Sequence, residues 1–228
     1  MNIFSILLSP KKYVFFKSCF LLFCSYILFA LFKLMLSKIF PSVLNSDYTQ
    51  SAIQEMLNSE PLRAAVMIGI SAPIFEEMMF RTLIKPTHTD LVLFLTSWPV
   101  FLTSYFIPAE VHWFFKLVFI AIFLSCFTYV GVQLINPYKV RHLRTWLSRN
   151  YKLLWVLSSF AFGLIHITNY VDVFIINLPL FLHIVPRILS GFFFGYIKIK
   201  NKNLGWSMAL HSLNNAVPLL LLLIFRQH

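Results

Sequence analysis

Long runs of apolar residues, separated by short polar segments, make up most of this 228-residue chain. A run of about 20 apolar residues is long enough to cross the hydrocarbon core of a bilayer as an α-helix. The pattern therefore predicts an all-α, polytopic membrane bundle of about seven transmembrane helices in a single membrane domain. The predicted spans are residues 13–37, 62–85, 91–107, 113–135, 152–169, 173–197 and 204–225.

The polar segments between these spans indicate an orientation. Residues 38–61 form a predicted polar loop, and residues 136–151 form the most basic loop. With the N-terminus in the cytoplasm, the positive-inside rule is satisfied, because the cytoplasmic side holds most of the lysines and arginines. These are Lys11, Lys12, Lys17, Lys85, Lys139, Arg141, Arg144, Arg149, Lys152, Lys198, Lys200 and Lys202, against Lys38, Arg63, Lys116 and Arg226 on the other side.

Composition supports a membrane protein and changes how the charge is interpreted. The chain is 59% hydrophobic and only 12% charged, whereas soluble domains are about 25% charged. A net charge of +11 would suggest nucleic acid in a soluble protein. Here the basic residues lie between apolar runs, so we expect contact with lipid headgroups and no nucleic-acid partner. The Lys-, Asn- and Phe-rich composition favours a bacterial cell membrane.

Away from its ends, the second span contains three charged residues, Glu76, Glu77 and Arg81. A charge at the bilayer centre costs roughly 2.5–3.5 kcal/mol on insertion scales, so each of these side chains needs a partner or a water-filled cavity. Glu77 and Arg81 are four residues apart, share a helix face and are predicted to pair. Glu76 points about 100° away from Glu77, which leaves it available for chemistry.

Three further polar residues lie in other spans: His166 in the fifth, and His211 with Asn215 in the seventh. These side chains should face the bundle interior to avoid lipid, so we expect them to converge with Glu76. Peptide hydrolysis needs a base that activates water and donors that stabilise the oxyanion. Glutamate, histidine and asparagine side chains supply both.

A metal site is left open by the same residues. Glu76, His166 and His211 form a ligand set that suits zinc, but the chain lacks the H-E-x-x-H sequence of single-helix zinc sites. We expect no obligatory cofactor, with a divalent ion such as zinc as the alternative.

Three other features of the spans carry structural expectations. Gly191 and Gly195 form a G-x-x-x-G face, which predicts close helix packing. Arg187 lies mid-span beside Pro186 and is expected to meet a buried acid or a cavity. Pro73 lies one turn before Glu76 and should free a backbone carbonyl.

Three motifs in chain order resemble those of a known family. Glu76-Glu77-x-x-x-Arg81, Phe162-x-x-x-His166 and His211-x-x-x-Asn215 are similar to the motifs of the CAAX protease and bacteriocin-processing (CPBP or Abi) intramembrane proteases. The resemblance covers roughly residues 62–220. Residues 1–61 are interpreted as an N-terminal transmembrane helix and polar loop, and residues 62–228 as the protease core. Thr82 departs from the family, which often has glycine there.

The resemblance implies a role for each matched residue. Glu76 would be the general base, with His166 beside it, and His211 and Asn215 would hold the oxyanion. Glu77 and Arg81 would support the site. The implied function is cleavage of a membrane-anchored protein or peptide, of CAAX type or in peptide or bacteriocin maturation, at a site that opens toward the cytoplasm.

Two alternatives remain at this point. In the first, the polar cluster is structural and the chain is a non-catalytic membrane scaffold or a bacteriocin-immunity protein. In the second, the glutamates and histidines relay protons in a coupled transporter. Such transporters have internal repeats, and this sequence has none.

Overall fold

The fold is known from a computed structural model that describes residues 9–41, 48–108, 110–171, 175 and 177–225. Helix accounts for 85% of these residues, and they include no strand. The α-helices are α1 (Pro10–Ile39), α2 (Ser51–Ser59), α3 (Pro61–Val66), α4 (Ala72–Phe80), α5 (His88–Thr103), α6 (Trp113–Leu134), α7 (Arg141–Arg149), α8 (Tyr151–Ile165), α9 (Leu178–Asn201) and α10 (Leu204–Phe225). A π-helical turn, Met67–Ser71, joins α3 to α4, and 3₁₀ turns follow α5 (Ser104–Phe106) and α8 (His166–Asn169).

The predicted helical membrane class is confirmed, whereas the predicted number of spans is not. In the described part of the chain, four helical segments are long and apolar enough to cross a bilayer: α1, α6, α9 and Tyr151–Asn169, which is α8 with its 3₁₀ turn. Helices occur at all seven predicted places, but seven spans stays a prediction. The predicted start of the sixth span, residue 173, lies outside the described residues, and α9 begins at Leu178.

Two segments predicted as loops each contain a short helix. Residues 38–61 include α2, whose Leu57 packs against Ala64 and Leu219. The basic segment 136–151 includes α7, which buries Leu147. A polar segment with one apolar stripe becomes a stable helix when that stripe packs on the bundle, and tertiary packing of this kind is not visible in a local sequence. Residues 42–47 of the first loop lie outside the described residues.

Helix α9 forms the centre of the bundle and packs against α1, α8 and α10. Its Phe194 and Ile197 are fully buried and contact Leu22 of α1, Phe162 of α8 and Leu210 of α10. The outer helices α1 and α6 instead expose apolar side chains along their length, and the membrane-length window of α6 has no buried residue. This is the arrangement expected when lipid covers the outside of the bundle.

The close helix packing predicted for the G-x-x-x-G face of α9 occurs, and the partner helix is α8. A Cβ atom added at Gly191 would lie 3.1 Å from the backbone of Ser159, and one at Gly195 would lie 2.3 Å from the ring of Trp155. The indole nitrogen of Trp155 donates to the carbonyl of Phe192 at 2.9 Å. The small residues therefore set the distance between these two helices.

The basic segments gather at one end of the bundle, which we call the basic end. Lys198 near the end of α9 pairs with Asp90 at the start of α5 at 2.8 Å. The side chain of Asn201 reaches the carbonyl of Lys11 at 3.2 Å, at the start of α1. His88 Nε2 lies 2.7 Å from the carbonyl of Ile135, just after α6. The start of α1, the start of α5 and the ends of α6 and α9 thus lie together with α7.

Candidate active site

The three ionisable side chains predicted to converge lie together inside the bundle. Glu76 Oε2, from α4, is 3.7 Å from His166 Nε2 and 3.7 Å from His211 Nε2. His166 begins the 3₁₀ turn after α8, and His211 lies in α10. Three separate elements of the chain thus bring one carboxylate and two imidazoles to a single point.

Each imidazole is oriented by a contact of its other nitrogen. His166 Nδ1 lies 2.6 Å from the carbonyl of Phe162, and a carbonyl can only accept, so Nδ1 carries the hydrogen. His211 Nδ1 lies 3.1 Å from Glu77 Oε1. The ring of Phe194 stacks on His211 with 4.4 Å between centroids. In their neutral forms, both histidines then present the unprotonated Nε2 to Glu76.

The space between these atoms suits a hydrogen-bond donor. Glu76 Oε2 and His211 Nε2 are buried and make no hydrogen bond with any described residue. Glu76 Oε2 lies 3.7 Å from each of the two Nε2 atoms. All three atoms are hydrogen-bond acceptors when the histidines are neutral, so no donor lies among them. A water molecule or a shared proton satisfies this arrangement, and both are reactants in hydrolysis.

Glu77 belongs to a second polar cluster, which contacts the first through His211. It is fully buried and lies 3.5 Å from Arg81 Nε, so the predicted pair is confirmed. Ser207 Oγ donates a hydrogen bond to Glu77 Oε2 and lies 2.9 Å from the carbonyl of Phe194. Because Glu77 is surrounded by donors and Glu76 is not, the two neighbouring carboxylates differ in what they can do.

Arg81 ties this cluster to α8. Its Nη1 donates to the carbonyl and the hydroxyl of Ser158 at 3.1 and 3.2 Å. Its guanidinium also lies over the ring of Phe162, 4.8 Å from the centroid. Phe162 is therefore packed between the buried arginine and the two histidines, since its ring centroid is 4.7 Å from that of His166 and 5.3 Å from that of His211.

Asn215 lies one turn beyond His211 but its described contacts are elsewhere. Its Nδ2 donates to the carbonyl of Ile68 at 3.0 Å, and its Oδ1 accepts from Arg187 Nη1 at 3.5 Å. Ala72 N–H already bonds the Met67 carbonyl in the π-helical turn. The next bond of that series would join Pro73 to Ile68, but proline has no N–H. Asn215 supplies the missing donor.

Arg187 and Asn215 line a second cavity of about 320 Å³ together with Tyr26, His183 and Asn214. This places Arg187 against a cavity, one of its two expected surroundings. No carboxylate of the described residues pairs with Arg187.

A larger and mainly apolar cavity of about 690 Å³ contains Glu76 and His166 at its wall. Its other walls come from α4, α5, α6, the end of α8, the π-helical turn and the 3₁₀ turn after α8. They include Phe75, Met79, Phe80, Trp98, Phe101, Leu117, Ile120 and Ile165. Such a space admits an apolar chain beside the carboxylate.

The large cavity runs away from the basic end of the bundle. Its lining residues come from the second half of α5, the first half of α6 and the end of α8. These segments lie away from the basic end. The cavity therefore runs from Glu76 away from the basic end, and the expected opening toward the cytoplasm stays a prediction.

The metal alternative has a mixed fit. Glu76, His166 and His211 are the predicted ligands and lie close together. However, no group of three or more His, Cys, Asp or Glu side chains in the described part of the chain has the arrangement that would hold a metal ion.

The sequence of the chain matches one known protein family over most of its length. The protein-family model described as "Type II CAAX prenyl endopeptidase Rce1-like" matches residues 58–217, more than two thirds of the chain. The chain belongs to this family. No curated protein and no solved structure matches it. The Rce1-like match covers Glu76, His166, His211 and Asn215, and it supports a membrane protease of the CAAX type with a membrane-associated peptide as substrate.

One residue in contact with the candidate site, Ser207, was not identified from the sequence. Ser207 precedes His211 by four residues, so the two side chains share a face of α10. Serine is common on helices in membranes, where it usually bonds its own backbone, so its spacing alone did not single it out.

Proposed function

We propose that this protein is an intramembrane endopeptidase in which Glu76 and His166 activate a water molecule. The observation that supports the proposal is the meeting of Glu76 with His166 and His211 on the wall of an apolar cavity. The substrate is a membrane-anchored protein or peptide whose apolar part occupies that cavity while its backbone lies over the carboxylate.

In the proposed reaction, water is held between Glu76 Oε2 and His166 Nε2. Glu76 takes a proton from the water while the water oxygen bonds to the carbonyl carbon of the substrate. The resulting tetrahedral intermediate carries a negative oxygen. The C–N bond then breaks, and Glu76 passes the proton to the leaving amine, so that a carboxyl group and an amine are released.

His211 stabilises the negative oxygen in this proposal. It donates from Nε2 when its ring carries both hydrogens, and the neighbouring Glu77 carboxylate stabilises that charged form. Asn215 is the proposed second donor: an amide nitrogen has two hydrogens, and only one of them is given to Ile68. Donors of this kind contribute several kcal/mol where water is excluded.

Glu77 and Arg81 act as positioning residues. They hold His211 from one side and Ser158 from the other, and they do not line the large cavity.

A cleavage assay on the purified protein in detergent tests this assignment. The probe is a quenched fluorescent peptide that ends in a prenylated CAAX sequence. We expect Glu76→Gln to lower the rate by about 10²- to 10⁴-fold, the usual contribution of a general base, and His166→Ala to lower it as well. Glu55→Gln, an exposed change on α2, is the matched control and should cleave like the unaltered protein.

Three outcomes would contradict parts of the proposal. Equal rates for the unaltered protein, Glu76→Gln and His166→Ala would remove the catalytic assignment and favour a scaffold. Failure of the unaltered protein to cleave the probe would contradict a CAAX-type substrate. The rate should persist after treatment with a metal chelator, and its loss would make the protein a metalloenzyme.

A further inference from the structure

We propose that the substrate reaches the site from the extracytoplasmic side of the membrane, so that the enzyme processes exported or outer-leaflet-anchored peptides. This inference rests on the proposed function. It follows from two observations: the position of the basic end, and the direction in which the large cavity runs from Glu76.

The basic end is fixed by contacts between the ends of helices. The Asp90–Lys198 pair and the bond from Asn201 to the Lys11 carbonyl bring the start of α5, the end of α9 and the start of α1 together. Arg144 of α7 reaches the carbonyl of Pro86 at 3.4 Å at the same end. Short segments rich in lysine and arginine stay in the cytoplasm, so this end faces the cytoplasm.

The cavity begins at Met79 and Phe80, about one helical turn after Glu76, and runs away from that end. On α5 it reaches Ser104, 14 residues after Asp90, which is about 21 Å along a helix at 1.5 Å per residue. On α6 it reaches Lys116, near the helix start, and after α8 it reaches Thr168 and Asn169. These four polar residues mark its far end, which we call the mouth.

The side of Glu76 that faces the cytoplasm is closed by packed residues. Arg81, Thr82 and Ile84 follow α4 toward the basic end, and each has no exposed surface. Arg81 is held there by Glu77 and Ser158. A peptide approaching from the cytoplasm would therefore meet the buried ion pair, whereas one approaching from the other side would meet the mouth.

The walls determine what kind of substrate fits. Between the mouth and Glu76 they are mainly apolar, with Trp98, Phe101, Leu117 and Ile120 on one side. An extended apolar peptide segment or a lipid-modified residue suits this space, and a highly charged peptide does not.

Labelling in intact cells with a membrane-impermeant maleimide tests the orientation. The background variant replaces Cys19, Cys24 and Cys126 with serine, and one cysteine is then introduced at a time. We expect Glu110→Cys, in the loop after α5, and Asn169→Cys, at the mouth, to react in intact cells. Thr145→Cys, exposed on α7, should react only after permeabilisation. The reverse pattern would overturn the proposal.

A second measurement tests access itself. Proteoliposomes are prepared under conditions in which the Glu110→Cys variant reacts from outside. Under the same conditions, the Asn169→Cys variant is labelled with a bulky impermeant maleimide. The prenylated CAAX peptide is then added outside. We expect labelling to abolish cleavage by Asn169→Cys and to leave Thr145→Cys at its unlabelled rate. Thr168→Cys serves if Asn169→Cys expresses poorly.

The outcomes separate this inference from the proposed function. Unchanged cleavage after labelling at the mouth would overturn extracytoplasmic access while Glu76 remained the base. Full activity of Glu76→Gln would instead remove the catalytic assignment, and the labelling pattern would still report the orientation.

Discussion

At the scale of single residues, the sequence predicted different roles for the two adjacent glutamates. The helical angle between Glu76 and Glu77 and the four-residue spacing to Arg81 predicted one paired and one available carboxylate, and this prediction is confirmed. The placement of Asn215 against Ile68 could not be predicted in the same way. It depends on a carbonyl left without a donor by Pro73 in another helix, and no local pattern in α10 contains that information.

The hydroxyl of Ser207 is the clearest test at this scale. Ser207→Ala should lower the free energy of unfolding by about 2 kcal/mol, because it removes a hydrogen bond to a buried charged group. It should also slow cleavage, since Glu77 positions His211. Unfolding in detergent and the rate of peptide cleavage measure the two effects.

Ser159→Ala is the matched control for Ser207→Ala. Ser159 is equally buried, but its hydroxyl bonds only the carbonyl of Trp155 in its own helix, at 2.7 Å. Equal losses of stability and activity in the two variants would show that the contact between Ser207 and Glu77 has no special role.

Whole elements were predicted well where apolar runs were long and less well where helices were short. The helices at α1, α6 and α9 follow directly from their hydropathy. Helices α2 and α7 were predicted as loops because each depends on one buried side chain, Leu57 or Leu147. The G-x-x-x-G face predicted close packing but not its partner, which the structure identifies as α8.

Helix packing is tested by adding one methyl group to each of two glycines. Gly195→Ala would bring Cβ to 2.3 Å from the ring of Trp155, so it should destabilise the bundle by about 1–3 kcal/mol, as overpacking does. Gly69→Ala meets nothing within 4 Å and should keep or raise stability. Thermal unfolding in detergent measures both, and a more stable Gly195→Ala variant would contradict the contact.

The two ends of the bundle differ in charge and in access to the large cavity. One end carries α7 and most of the lysines and arginines, and the other carries the mouth of the large cavity. The sequence predicted the charge asymmetry, because it needs only the order of spans. The direction of the cavity relative to the helices depends on how α5, α6 and α8 pack around Glu76, and the order of spans does not contain that information.

The arginines of α7 should help to set the orientation of the chain in the membrane. Replacing them with glutamine is expected to yield some molecules in the inverted orientation, because the positive-inside bias is weakened. Maleimide labelling of Glu110→Cys in intact cells measures the inverted share. A matched control replaces uncharged or weakly basic residues of the same helix with alanine and should leave the orientation uniform. The arginine set is Arg141, Arg144 and Arg149, and the control set is His142, Thr145 and Ser148.

The π-helical turn at Met67–Ser71 has a consequence for the length of the chain. A π-helical turn contains one residue more than the α-helix around it, so the faces of α3 and α4 are offset by that residue. Deleting one residue there would restore an unbroken α-helix and rotate Pro61–Val66 by about 100° relative to Glu76. Either Ala64 would leave its packing against Leu57 and Leu219, or the carboxylate would swing away from both imidazoles. The number of residues in this segment is thus as important for the site as the identity of the glutamate.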